Sequence, residues 1–335
     1  MSPPLKPSAI VARLNEHVIG QEDAKKALAV AIYAHYRRIA NAAVDHVELT
    51  KSNILLIGPT GTGKTLLCET LARILDLPFV TADATSLAQT QFVGDEIEAI
   101  LHRLVDRAAG DLARAQRGIV FVDEVDKLKT LGGNARATSG ESVQHALLKI
   151  MEGAPVRLKD GRHIDTTHIL FICGGAFVGL DEILTKTHTF GFIATDGGDD
   201  QQILERLNAR VKPTDLLEFG LIPEFAGRLP IVSRLHELSE EMLIRILSEP
   251  KDAILKQFTA MLAADGVELQ VAPNVLRQIA ELAIEYKAGA RSLRGIFTEM
   301  MTDVLYVVPD NPAIRQVVIS SLFEAPRLIS APSAP

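Results

Sequence analysis

The octapeptide Gly58-Pro59-Thr60-Gly61-Thr62-Gly63-Lys64-Thr65 stands between the apolar run 53–57 and a helix-like stretch at 66–75. A glycine-rich loop at a strand-to-helix junction leaves few architectures open, because strand, loop and helix must form one unit that turns its backbone amides outward. The glycines let the chain curl so that successive N–H groups and the helix N-terminus face an anion. In that arrangement Lys64 reaches the terminal phosphates and Thr65 can ligate magnesium. The spacing therefore implies a nucleoside triphosphate, with residues Gly58 to Leu66 as the contacting segment.

Strand-like runs recur at 79–82, 118–122 and 168–173, with helical patterns between them and a long amphipathic helix expected at 22–41. Strands that alternate with helices predict an α/β fold with a parallel sheet covered on both faces. Past Pro230 the pattern turns mainly helical, at 240–248, 250–264, 273–286 and 290–306, with short strands at 267–271 and 316–320. This predicts a flexible lead over 1–14, a large nucleotide-binding domain over 15–234, a small α-rich domain over 235–324 and a disordered tail over 325–335. Segments rich in glycine and aspartate at 132–134, 159–162 and 196–200 read as mobile loops.

Composition excludes several classes. A net charge of −7 and a pI near 5.8 do not suit a general nucleic-acid binder. Cys68 and Cys173 are far apart and neither belongs to a CxxC pair, so no zinc and no disulfide framework is expected. The N-terminus lacks the apolar stretch of a signal peptide, and no apolar run reaches the ~18 residues of a membrane span. A reducing cytoplasm and no membrane partner are the expectation.

The run 118–122 ends in Asp123 and Glu124. An apolar strand that delivers two adjacent carboxylates suits a Walker B element: Asp123 holds magnesium through water and Glu124 polarises the attacking water as a general base. The competing reading is an ordinary surface pair after a buried strand. Asp126 and Lys127 read as solvated charges without chemistry.

With these residues in place the chain resembles the AAA+ unfoldases, specifically the ClpX family that works with the ClpP peptidase. The likeness runs from about Leu14 to about Val308. It rests on Val18-Ile19-Gly20-Gln21, the phosphate loop, Ala82-Asp83-Ala84-Thr85, Gln116-Arg117-Gly118, Ser139-Gly140-Glu141, and the run from Phe171 to Phe177. It continues through Gly220 to Phe225, Gly227-Arg228-Leu229-Pro230 and Gly289-Ala290-Arg291.

The resemblance implies roles that spacing does not. Val18 and Ile19 contact adenine, Arg228 is an arginine finger reaching a neighbouring subunit's nucleotide, and Arg291 is the sensor 2 arginine. A ring, expected to be a homohexamer, follows from a finger supplied in trans. Phe92, Val93 and Gly94 stand where the family carries a pore loop that grips polypeptide substrates, and Arg136 lies in a second pore loop. Phe190, Gly191 and Phe192 stand where the family docks its peptidase. The bland alternatives are a salt-bridged Arg228, an Arg291 on a solvated helix face, a core Phe92 and a satellite apolar cluster at Phe190 and Phe192.

Three departures are visible. The stretch 152–168, with Lys159, Arg162 and His163, is shorter than the family's tag-binding entrance loop. The family's N-terminal zinc-binding domain, which captures adaptors, has no counterpart, so the expectation is a form without it. Cys173-Gly174-Gly175 offers no polar sensor 1 side chain. The expected activity is ATP-driven unfolding that feeds a ClpP-type peptidase. The rivals are a standalone remodelling chaperone and, from another class, a nucleic-acid motor or clamp-loader-like ATPase.

Overall fold

The structure is a computed structural model and describes residues 5–41, 51–90, 92–130, 135–188 and 210–331. The chain divides into two compact units, one built from residues 1–11, 22–59 and 64–235, the other from 12–21, 60–63 and 236–335.

The first unit is organised by a five-stranded parallel sheet. Its strands are β1 (Ile54–Ile57), β2 (Phe79–Asp83), β3 (Ile119–Asp123), β6 (Leu170–Gly175) and β7 (Ile231–Arg234), in the order β2-β3-β6-β1-β7. All residues of β1 and β6, and the first four of β3, are buried. That explains why these strands read as unbroken apolar runs: a parallel sheet is covered on both faces. Helix Val93–Arg107 turns Ile97, Ile100, Leu101, Leu104 and Val105 into the core, the spacing of one helical face.

The four expected strands are present, and β7 is an addition. The turn-rich 159–162 is the tip of an antiparallel ribbon of β4 (Pro155–Arg157) and β5 (His163–Asp165), where Gly161 takes φ +85°. Leu158 N–H donates to Arg162 O at 2.8 Å to close it.

The second unit carries helices Glu240–Ser248, Ile254–Ala264, Pro273–Glu285 and Arg291–Val307 around a small sheet. In that sheet β8 (Glu268–Val271) runs parallel to β9 (Ile314–Ile319), and β10 (Arg327–Ser330) runs antiparallel to β9. The tail expected to be disordered from 325 is therefore a strand over 327–330. Its Leu328 and Ile329 pair with Val317 and Gln316, and Ala331 N–H donates to Ala313 O at 2.8 Å. The lead expected to be flexible also carries structure: helix Pro7–Asn15 buries Ile10 and Leu14, one turn apart on the same face. Among the described residues no helix is long and apolar enough to cross a membrane.

Candidate functional site

The phosphate loop leaves the carboxyl end of β1 between both of that strand's neighbours. Gly58 N–H donates to Gly175 O at the end of β6 (3.1 Å), and Leu235 N–H, just past β7, donates to Ile57 O (2.7 Å). In open α/β sheets the carboxyl ends of the strands are where ligands sit. A Cβ on Gly58 would lie 2.7 Å from Leu235 O, so only glycine lets the loop pass. Gly61 has φ +81°, a Cβ there would lie 2.3 Å from Ala288 O, and Ala290 N–H donates to Gly61 O at 3.2 Å. This close approach of two backbones brings the residue before Arg291 onto the phosphate loop.

Lys64 opens helix Lys64–Ile74 and is buried; its Nζ donates to Gly58 O (2.5 Å) and Pro59 O (3.0 Å). The ammonium thus lies inside the curl of the loop. Thr60 is exposed, Thr62 is buried, and Leu66 is half exposed.

Asp123 ends β3 beside this helix. Its Oδ2 accepts from Thr65 Oγ1 at 3.3 Å and its Oδ1 accepts from Glu124 N–H at 2.9 Å. A hydroxyl and a carboxylate brought together next to a phosphate-binding loop form a hard-oxygen donor set, which fits magnesium. Glu124 follows at φ +59°, a left-handed conformation uncommon for a non-glycine residue, and is exposed. A strained backbone at a strand end is a recurrent feature of functional sites. Cys68 and Cys173 are free and fully buried; burial pushes the Cys68 thiol well up, with the Asp123 charge adding to it, and Cys173 up to about 12. Neither is a reactive thiol.

The two glycines after Cys173 are closed in by packing. A Cβ on Gly174 would meet the Phe121 ring at 2.6 Å, and one on Gly175 would meet Asp126 Oδ1 at 2.6 Å. Asp126 is buried and accepts from Ala176 N–H at 3.2 Å. The expectation of a solvated Asp126 is thus corrected: its carboxylate fastens the turn after β3 to the end of β6. Nothing in the local sequence signals this.

Arg228 follows helix Pro223–Gly227, is half exposed, and pairs with Glu152 at 2.6 Å. Its carbonyl is fixed by Asn53 Nδ2 at 3.2 Å. Arg291 is the exposed first residue of its helix, and Arg294 bonds Gln257 Oε1 at 2.5 Å. Val18 and Ile19 are buried in the turn after helix Pro7–Asn15, with Val18 N–H on Leu14 O at 2.8 Å. Phe92 precedes helix Val93–Arg107 and is 69% exposed, which removes the core alternative for it. Val93 is partly buried and Gly94 faces open space. Arg136 lies in the first turn of helix Ala135–Glu152, its side chain outside what is described; Phe190, Gly191 and Phe192 lie outside the described residues.

A family model for the AAA domain (Cdc48 subfamily) matches residues 49–232. A second, for the C-terminal D2-small domain of ClpB protein, matches residues 238–311. The chain is 46% identical, over 331 aligned residues, to the ATP-dependent Clp protease ATP-binding subunit ClpX of Treponema denticola. That alignment covers 94% of this chain and 80% of the relative.

Proposed function

The chain belongs to the ClpX family of AAA ATPases, and from that premise we propose that it is an ATP-driven protein unfoldase. It threads polypeptides through the pore of a homohexameric ring and passes them to a ClpP-type peptidase in the cytoplasm. Exposed Phe92, set at the N-terminus of a helix whose inner face is in the core, is the observation that carries the step from ATPase to unfoldase. An aromatic plane held in solvent by a fixed helix can wedge against side chains of any sequence.

The chemistry follows from the residues of the site. Amides of Gly58 to Leu66 and the helix N-terminus hold the phosphates, and Lys64 swings from the carbonyls of Gly58 and Pro59 to the terminal phosphates. Thr65 and Asp123 would hold magnesium, which neutralises charge on the transferred phosphoryl group when bound. Glu124 orients the attacking water and takes its proton. Arg228 of one subunit completes a neighbour's site, and Arg291 senses the nucleotide from beside the phosphate loop. Val18 and Ile19 receive the base.

A second reading, a remodeller without peptidase, is favoured by the short β4–β5 ribbon. In this structure its Arg162 turns back onto Asp160 at 2.6 Å and Gly110 O at 3.3 Å.

The test is ATP-dependent digestion of an unstructured, untagged protein by this chain together with its own organism's ClpP-type peptidase. A variant carrying alanine at both Phe190 and Phe192 serves as control. Digestion that the control loses is expected. Active ATP turnover without digestion would select the remodeller, and stimulation by DNA instead of unfolded protein would select a nucleic-acid motor.

A further inference from the structure

Gln21 is buried and sits at φ +60°, directly after Gly20 at φ +67°. Glycine suits the position through its conformation; a Cβ there would meet only the movable end of the Met242 side chain, Cε at 2.4 Å. Two successive left-handed residues turn the Gln21 amide onto the backbone of a residue 215 positions away. Its Nε2 donates to His236 O at 2.8 Å, and its Oε1 accepts from His236 N–H at 3.0 Å. One side chain therefore satisfies both polar groups of one residue, which requires a donor and an acceptor side by side on the same planar group. A left-handed non-glycine residue costs on the order of 1–2 kcal/mol and persists where its surroundings over-determine it.

His236 is no ordinary partner. Its predecessor Leu235 is held by Ile57, the last residue of the strand that launches the phosphate loop. The division between the compact units falls at this peptide: Leu235 closes one and His236 resumes the other. Gln21 is likewise the last residue of its segment before Glu22 returns to the first unit. Two points where the chain passes between units are thus tied together by one amide.

We infer that Gln21 is a positioning residue that fastens the base-contacting turn, Val18 and Ile19, to the first residue of the C-terminal segment. A base seated on that turn then moves His236 with it, and nucleotide occupancy reaches the 235–236 peptide through two hydrogen bonds. The inference rests on the nucleotide site proposed above.

Gln21→Glu in the full chain tests it, because the substitution keeps shape and removes the donor only while the carboxyl is ionised. At about pH 8 the carboxylate faces His236 O, and KM for ATP is expected to rise about tenfold over the parent with kcat within about twofold. At about pH 5.5 the buried carboxyl takes a proton, regains donor and acceptor, and the KM ratio returns to within about twofold. A parental KM at pH 8, or a raised KM that does not recover at pH 5.5, overturns the inference. So does a fall in kcat alone. Should the variant not fold, amide exchange at His236 in the parent decides: magnesium ATPγS is expected to slow it about tenfold or more, and unchanged exchange overturns the inference. A parent with no saturable ATP turnover would instead sink the nucleotide site itself, and this inference with it.

Discussion

The Arg228 guanidinium meets the Glu152 carboxylate at 2.6 Å, joining the end of helix Pro223–Gly227 to the end of helix Ala135–Glu152. Both side chains are about half exposed, so the pair contributes only ~0–1 kcal/mol. In the proposed ring, a partner that weak can be exchanged for the γ-phosphate of a neighbouring subunit's nucleotide, with its greater charge. Glu152→Gln is therefore expected to shift the melting midpoint by no more than ~2 °C and to leave ATP turnover at or above the parental rate. Arg228→Ala is expected to lower turnover at least ~1000-fold with ATP binding retained. Steady-state hydrolysis beside binding of a fluorescent ATP analogue measures both; an Arg228→Ala chain that turns over normally would remove the finger assignment.

Glu124 is exposed and unlike Asp123 receives nothing from Thr65, so its removal should spare the metal ligands. Glu124→Gln is expected to bind ATP with parental affinity and hydrolyse it at least ~100-fold more slowly. Single-turnover hydrolysis separates this from slow product release. Persistent turnover would move the base elsewhere.

Two loop glycines should respond differently to alanine. At Gly61 a methyl group would meet Ala288 O at 2.3 Å, and that contact is backbone on both sides, whereas around Gly63 there is open space. Both have positive φ, so both carry the left-handed penalty of ~1–2 kcal/mol. Only Gly61→Ala should also displace the Ala288–Ala290 segment and with it Arg291. The expected result is a larger fall in both ATP affinity and melting temperature for Gly61→Ala than for Gly63→Ala; equal effects would mean that the conformational term dominates.

Much of this was legible from patterns that depend on few residues at a time. The runs that became β1, β3 and β6 are apolar because both faces are covered, and the glycines and carboxylates at their carboxyl ends declare the site. The helices of the C-terminal segment follow their apolar spacing to within a few residues. What escaped depends on distant partners. β7 is a half-buried edge strand of four residues, Ile231 to Arg234, recognisable only once β1 is beside it. Asp126 looks solvated until Gly175 leaves room for its carboxylate, and β10 looks like a loose tail until β9 offers an edge.

Phe92 offers the cleanest separation of stability from work. Because its ring is mostly in solvent, Phe92→Ala should change stability by less than ~0.5 kcal/mol. ATP turnover should stay within about twofold while ATP-dependent unfolding of a stable folded substrate is lost. Unfolding at the parental rate would place the grip on another loop.

The last expectation concerns acid. His35 is buried, its Nε2 donates to His168 O at 3.0 Å, and among the described residues its Nδ1 has no hydrogen-bond partner. Burial pushes its pKa down to about 3; the His168 carbonyl opposes that, and the nearby Arg38, Lys51 and His168 reinforce it. Asp165 is an anion that acts on the neighbouring Lys51 and His168. The folded state therefore holds His35 neutral, while the unfolded chain takes a proton near pH ~6.5. The stability His35 contributes is full above that value and is lost progressively as pH falls from ~6.5 towards 3. Lys51, pushed down to about 7 by burial, is common to parent and variant, so it does not by itself open or close the gap between them. His35→Gln removes the titration and retains a donor for His168 O. Urea midpoints should show the parent more stable than the variant at pH ~7.5, with the gap narrowing or reversing at pH ~4.5. A gap that does not change between the two would mean that His35 titrates normally in the folded protein.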